Sequence, residues 1–429
     1  MNRRSRTFPA ALAGLVLGLS ACSSSPALRA ARSGNHQDLK AAIARDRAEG
    51  RLDSGRVRDI AFEVGAREIR TAAPADAPLL IDEARACTRP LMGPLEERAR
   101  ASDDAGAAAA LALIDGHSGW DDGDALLRRY GTSPSAPWRA VAARGAVGKD
   151  LGPARRKLYV DPDERVRLAA LRAALEAVDP ADQGPLLEEA RLDPNPVAQA
   201  IATRALGAFA STEVVLRLRD LYARADDGLR QSIVDAWGQT PSASAGGLGE
   251  VIRVAENERG APAIEAGWVL LRFKAERNAA AIGTRTLIRA IMEGISRDRV
   301  LAIMDAPTDD PSVLDALRKA AILGDPAVKS AALSRLVDVP GSRAQAIVDL
   351  RELAKDGSPA AVLALAHADD AGAIETLRKS LASSDPKTRL SAMRALVSVG
   401  KPASAAELLA DGDPHVRMSV SCAILAVPN

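Results

Sequence analysis

Residues 195–199 read Asn195-Pro196-Val197-Ala198-Gln199, and variants of this pattern return along most of the chain. The other good copies are Asp163-Glu164-Arg165-Val166-Arg167, Asp325-Pro326-Ala327-Val328-Lys329, Asp385-Pro386-Lys387-Thr388-Arg389 and Asp413-Pro414-His415-Val416-Arg417. Residues 226–230 keep the frame without Pro. Where copies follow one another directly, their starts are 28 to 32 residues apart. An internal period of this size is typical of a repeat architecture.

Each position of the motif has a physical meaning. Asp or Asn at the start accepts hydrogen bonds from the first free backbone N–H groups of a helix. Pro at the next position lacks an N–H group that would have had no partner, and its φ angle suits the first turn. Apolar residues then follow at helical spacing, and a second amphipathic run precedes each cap. Each unit is therefore a helical hairpin that cannot bury its apolar face alone.

The motif resembles the short bacterial HEAT-like repeat, the type also found in phycobilin lyases. The resemblance covers most of residues 100–429 and implies an all-α fold, an α-solenoid in which about ten helical hairpins form a right-handed superhelix. We assign residues 96–429 to the solenoid and residues 27–95 to an N-terminal helical cap region. Residues 260–323 depart from the pattern, and we interpret Asp310 and Asp325 as the caps of two consecutive helices.

The first residues of the chain read as an export signal. Basic residues precede an apolar run from about Phe8 to Leu19, which is too short to span a membrane. The run ends in Leu19-Ser20-Ala21-Cys22, which resembles the lipobox of bacterial lipoproteins. The resemblance implies cleavage after residue 21 and acyl chains on Cys22, with residues 22–26 as a short linker. The alternative is an ordinary secretory signal with a coincidental Cys.

The lipobox resemblance also implies a location. A lipid-anchored protein of the bacterial cell envelope is expected, and Ser23, in place of Asp, favours the periplasmic face of the outer membrane. Removal of residues 1–21 takes away three arginines and no acid, which leaves a net charge of −2. Two cysteines remain besides Cys22. Because Cys87 and Cys422 fall near opposite ends of an open stack, free buried thiols are expected more than a disulfide.

A basic residue recurs after the apolar anchor of the motif, at Arg139, Arg167, Arg230, Lys329, Arg389 and Arg417. A basic stripe could bind nucleic acid. However, acids match bases in number, and aromatic residues that could stack on bases make up only 3% of the chain. The spacing therefore predicts a ladder in which these side chains pair with Asp residues of neighbouring repeats, and no nucleic-acid partner is expected.

No catalytic motif stands out in the sequence. The four His residues are dispersed and none is followed by Glu, so neither an iron site of the deoxyhypusine hydroxylase type nor another metal site is expected. We expect no cofactor and no enzymatic activity. Trp237 occupies a core position of its repeat. Trp268 has a less apolar register, so it is either packed in the repeat or a surface anchor for a partner.

The C-terminal helix poses a separate question, because a terminal repeat has no neighbour along the chain to cover it. Its apolar residues spread beyond one helical face and include Ile424 and Val427. The hypothesis is that a second copy of the protein or a partner covers these residues, which would allow a homo-oligomer. The alternative is a small surface tolerated in solution.

Two classes of function follow from this reading. The leading expectation is a non-enzymatic scaffold that holds another protein on its repeat surface. The alternative is an enzyme or ligand carrier whose site is assembled from different repeats on the concave face.

Overall fold

The chain folds into a stack of helical hairpins. The computed structural model describes residues 25–116, 123–148 and 150–427, and these residues form helices and no strand. Eleven hairpins, each with a first and a second helix, follow one another from residue 92 to residue 426. The first helices are Met92–Ala99, Gly123–Tyr130, Gly152–Tyr159, Gln183–Leu192, Thr212–Tyr222, Leu248–Asn257, Arg277–Glu293, Pro311–Leu323, Arg343–Lys355, Ala371–Ser380 and the two short segments Pro402–Ala405 and Ala406–Ala410.

The second helices carry the repeated motif. They are Asp104–Gly116, Ala136–Gly145, Glu164–Ala177, Pro196–Leu206, Asp227–Trp237, Gly260–Arg272, Ser296–Met304, Pro326–Leu336, Pro359–His367, Pro386–Ser398 and Pro414–Ala426. Short helical turns at Pro180–Asp182, Thr240–Ser242 and Ala243–Gly247 precede two of the first helices. The predicted all-α, solenoid-like fold is confirmed.

The caps form as the motif predicts. The side chains of Asp163, Asn195, Asp325 and Asp413 each accept a hydrogen bond from the backbone N–H two residues later. Asp310 does the same at the start of Pro311–Leu323, so the two closely spaced motifs of this region begin two consecutive helices, as predicted.

The two rows of helices pack differently. Neighbouring second helices contact one another along the whole row, whereas several pairs of neighbouring first helices make few or no direct contacts. Helices on the inside of a curved layer are necessarily closer together than those on the outside. The second helices therefore form the concave side of the stack, and the first helices form the convex side.

The stack closes on itself. The helix Ser54–Thr71 and the segment Ala77–Cys87, whose last turn is a 3₁₀-helix, form what we call the closing hairpin. Two hairpins of the stack contact it, the one that begins at Met92 and the one that ends at Ala426. Ser54–Thr71 packs on the first helix of each of these hairpins, and Ala77–Cys87 packs on the second helix of each. The two ends of the stack, which were expected to lie apart, are therefore joined through the closing hairpin, and the described residues form a closed ring.

The hydrophobic core reflects this closure. One cluster of buried side chains joins residues 27–113 to residues 264–425, and a second cluster extends from Ala140 to Ile282. Trp237 is completely buried in the second cluster, as predicted. The helices Pro26–Ser33 and His36–Ala48 pack on the closing hairpin and on the first helix of the last hairpin. The two ends of the chain thus share one core.

Candidate functional site

A ladder of ion pairs links successive second helices. The Arg139 guanidinium donates to both carboxylate oxygens of Asp161, at 2.8 and 2.9 Å. Arg167 donates to the backbone oxygen of Asp161 and pairs in the same two-point manner with Asp193. Each Asp also accepts a hydrogen bond from the backbone N–H two residues later. The predicted ladder is confirmed for these rungs.

The ladder is not continuous around the ring. Gln199 and Arg230 occupy the motif position in the next two repeats. Gln199 donates to the backbone oxygen of Asp193, and Arg230 donates to that of Tyr222, so neither forms an ion pair with the following repeat. The ladder resumes near the end of the chain, where Arg389 pairs with both carboxylate oxygens of Asp411. Among the described residues between Asp193 and Arg389, no Arg–Asp pair occurs at the motif position.

The ladder perturbs the titration of the acids within it. The hydrogen bond from Arg139 lowers the pKa of Asp161 below its usual value. Glu189 differs, because burial and the nearby Asp193 carboxylate raise its pKa to about 7. Glu189 is therefore the acid beside the ladder that carries a proton near neutral pH.

The last rung of the ladder closes the ring. Arg417 donates to the backbone oxygen of Asp411 at 2.7 Å. The arginines of other rungs likewise donate to a backbone oxygen in the turn before their own helix. The carboxylate partner of Arg417 is Glu68 of the closing hairpin, which accepts from it at 2.9 and 3.0 Å. Both side chains are buried. The N-terminal region therefore stands in for a next repeat.

A disulfide lies at the same junction. Cys87 and Cys422 are bonded, with their Cα atoms 5.0 Å apart and 335 positions between them in the chain. The expectation of free thiols is therefore wrong, because the ring brings together residues that an open stack would keep apart. Both residues are buried. The bond joins the closing hairpin to the last second helix.

The C-terminal helix is covered by the chain itself. Ile424 is 3% exposed and belongs to the core cluster shared by both ends. Val427 is partly exposed, and its backbone oxygen accepts from Arg58 at 2.6 Å. The closing hairpin therefore occupies the face on which a second copy or a partner was expected. A homo-oligomer stays a prediction.

A buried charged network had no counterpart in the sequence analysis. The Arg155 and Asp182 side chains are completely buried, and their ion pair measures 2.7 Å. Tyr159 donates to Asp182 at 3.0 Å, and Arg156 donates to its other oxygen at 2.8 Å. Burial and the Asp182 charge raise the pKa of Tyr159. The Arg-Arg-x-x-Tyr sequence was the available signal, but its partner lies in the next repeat.

Trp268 and Glu265 lie together on a second helix, in the concave row. Trp268 is half-buried against the core, and its Nε1 is buried with no hydrogen-bond partner among residues 25–116, 123–148 and 150–427. Glu265 lies one helical turn earlier on the same side of the helix. Burial and Asp235 raise the pKa of the Glu265 carboxyl. A surface role for Trp268 stays a prediction.

Exposed aliphatic side chains gather where first helices end. Val160, Leu192, Ile295, Ile322 and Leu323 are each between 63% and 74% exposed. All five lie within two positions of the last residue of a first helix, on the edge of the ring where the second helices begin. We call these five residues the apolar edge. These residues were not predicted, because they lie between the copies of the helical motif.

Cys22, the predicted lipidation site, lies outside the described residues, as do residues 1–21. Within residues 25–116, 123–148 and 150–427, no three His, Cys, Asp or Glu side chains are arranged to hold a metal ion. No helix in these ranges is long and apolar enough to cross a membrane.

Comparisons with known proteins give no family. No protein-family model matches the chain, and no curated protein matches it. Among solved structures, the chain is similar to an engineered protein from the Northeast Structural Genomics Consortium. The identity is 18%, the match covers 81% of this chain and 96% of the engineered chain, and the TM-score is 0.29. A score this low supports no argument, so function has to be inferred from the chain itself.

Proposed function

We propose that this protein is a lipid-anchored lipoprotein of the bacterial envelope that acts as a non-enzymatic scaffold for another protein. Its repeats are of the HEAT-like type, and Cys22 is the lipidated residue. The apolar edge is the observation that carries the binding role. It offers exposed aliphatic side chains on the edge of the ring where the second helices begin.

Export is supported by the pairing of cysteines. Disulfides persist in oxidising compartments such as the periplasm and are rare in the cytosol. Cys87 and Cys422 are the two cysteines left after Cys22, and they are bonded to each other. This observation is independent of the signal sequence. It favours the same compartment as the lipobox does.

Protein binding is supported by the exposure pattern. Exposed aliphatic residues that share one edge are typical of interaction sites, whereas scattered single ones need no explanation. Ile322 and Leu323 end one first helix, and Ile295 follows the end of the preceding one. These two helices contact each other. The three side chains therefore belong to neighbouring repeats on one edge of the ring.

Anchoring is tested by metabolic labelling with a radioactive fatty acid in a bacterium that exports the full chain. The wild type should be labelled and should sediment with membranes. Cys22→Ala should lose the label and accumulate as precursor or as a mislocalised protein. Ser23→Ala is the matched control and should behave as the wild type. Equal labelling of the Cys22→Ala variant would refute the lipobox interpretation.

Binding is tested by cross-linking in intact cells, followed by purification of the tagged protein. Ile322→Asp combined with Leu323→Asp should remove a partner that the wild type retains. Val348→Asp combined with Leu216→Asp changes exposed aliphatic residues away from the apolar edge and should leave the partner bound. Retention of every cross-linked protein by the edge variant would contradict this binding surface.

A second candidate function rests on Glu265 and Trp268. A carboxyl whose pKa is raised by burial and an indole N–H without an acceptor could recognise a small polar ligand on the concave row, as an enzyme or ligand carrier would. Native mass spectrometry of the purified protein would detect a bound small molecule. Glu265→Gln should release it, and the exposed Glu164→Gln should not. Identical spectra for the two variants would exclude this candidate.

A further inference from the structure

The distance between the proposed lipid anchor and the folded ring is short. Cys22 lies three positions before Ser25, the residue at which the described structure begins. Ser25 already caps the helix Pro26–Ser33, since its hydroxyl accepts from the backbone N–H of Leu28, and it is buried. Three Cα–Cα steps span at most about 11 Å in any conformation. An acylated Cys22 therefore holds Ser25 close to the bilayer.

The contacts of the first helix establish where Ser25 lies on the ring. Arg32 pairs with Glu63 at 2.5 Å, and Gly34 lies against the Arg67 side chain. The helix Pro26–Ser33 therefore runs parallel to Ser54–Thr71. Its eight residues measure about 12 Å, so Ser25 lies back toward the start of Ser54–Thr71.

That start belongs to one edge of the ring. Arg58, near the start of Ser54–Thr71, donates to the backbone oxygen of Val427, just past the end of the last second helix. Glu68, near the end of Ser54–Thr71, pairs with Arg417 at the beginning of that second helix. The edge near Ser25 is therefore the one where second helices end, and it lies opposite the apolar edge.

We infer that the ring rests with this edge, on which the second helices end, against a lipid surface, while the apolar edge faces away from the membrane. The inference rests on the proposed lipidation of Cys22 and adds an orientation to it. It also gives the binding surface of the proposed scaffold free access to a partner in the periplasm. Without the short tether, neither edge would be preferred.

The two ends of one helix provide a matched test. Ser54 and Ala75 are both exposed. Ser54 begins the closing hairpin's first helix, and Ala75 lies in the turn four positions after its last residue, Thr71; the helix's 18 residues measure about 27 Å. Ser54→Cys and Ala75→Cys would each be labelled with a fluorescent donor, while the native disulfide is buried and bonded. The lipidated, full-length protein is then reconstituted in phosphatidylethanolamine and phosphatidylglycerol vesicles that contain a headgroup-labelled acceptor lipid.

Energy transfer from position 54 should exceed that from position 75 several-fold. Equal transfer from both positions, or stronger transfer from position 75, would overturn the inference. A 20-residue Gly/Ser insertion after Ser24, which adds about 25 Å of average reach, should abolish the difference. Persistence of the difference in that variant would show that the tether does not set the orientation.

The lipid is measured separately by mass spectrometry of the same preparations. A wild type without acyl chains would refute the proposed function, and the inference would fall with it. An acylated wild type without the expected difference would refute the orientation alone. Cys22→Ala should give no energy transfer from either position, and transfer equal to that of the wild type would contradict the anchor as its cause.

Discussion

Arg417 and Glu68 are 349 positions apart in the chain and form a buried two-point ion pair. The pair has the form of the rungs that join successive repeats at Arg139, Arg167 and Arg389. The helix Ser54–Thr71, which supplies Glu68, belongs to no copy of the motif. The ring is therefore closed by a segment that reproduces the contact of a repeat without reproducing its sequence.

Removal of one partner of this pair should be costly. Arg417→Met removes the two-point partner of the buried Glu68 carboxylate and leaves it only the longer contact with Arg67, at 3.5 Å, so about 3 kcal/mol of unfolding free energy should be lost. Denaturant unfolding measures this change. Arg165→Met is the matched control, because Arg165 makes an exposed pair with Asp163 whose loss should cost less than about 1 kcal/mol. Equal losses for the two variants would contradict the buried pair.

The disulfide should stabilise the ring. Reduction of Cys87–Cys422 frees a loop of more than 300 residues in the unfolded chain, and the expected loss is about 4 kcal/mol. Thermal unfolding with and without a reductant measures the difference, and Cys87→Ser combined with Cys422→Ser should match the reduced protein. Thiol titration of the mature, unreduced protein in denaturant should find no reactive Cys87 or Cys422. Two reactive thiols would refute the bond.

Gly283 should not tolerate a side chain. A Cβ atom at this position would lie 2.7 Å from the backbone oxygen of Gly267, where two helices of adjacent hairpins touch. Gly283→Ala should therefore cost about 2 kcal/mol of unfolding free energy through overpacking. Gly249→Ala, also within a helix but with no atom within 4 Å of its added Cβ, should be neutral or stabilising. Similar effects of the two substitutions would contradict this close approach.

Glu189 should make stability depend on pH. Because its pKa in the folded protein, about 7, exceeds its ordinary value of 4.5, the folded state favours the protonated carboxyl. The resulting contribution of Glu189 to the free energy of unfolding is fully present below pH 4.5 and is lost as the pH rises through about 7. After allowance for partial exposure, the loss is about 1 kcal/mol. Glu189→Gln should remove it, whereas Glu188→Gln at the exposed neighbour should not; unchanged pH profiles for both would refute the assignment.

The repeat architecture was predictable because its signals are local. Asp or Asn caps, the following Pro and the helical spacing all lie within one hairpin. The Arg139–Asp161 rung was equally accessible, because its partners are 22 positions apart and belong to consecutive copies of the motif. The caps also identified Asp310 and Asp325 as the starts of consecutive helices in the least regular region.

The closure was not predictable by the same reasoning. Glu68 and Cys87 lie in the segment that lacks the motif, so no periodicity relates them to Arg417 and Cys422. One signal was nevertheless present, since the C-terminal helix is too apolar for an end that faces water. This apolar surface was expected to be covered by a second copy or a partner. The cover is the chain's own N-terminal region, and only tertiary contacts reveal this.

The contact between the last repeat and the closing hairpin also determines how the protein could evolve. An open solenoid can gain or lose a unit by duplication or deletion, because only the new neighbours must fit. In this ring, one unit more or fewer would shift Arg417 and Cys422 away from Glu68 and Cys87 by the width of a helix. Lineages that keep the closure are therefore expected to change by substitution within units and by insertions in turns, while the number of units stays constant.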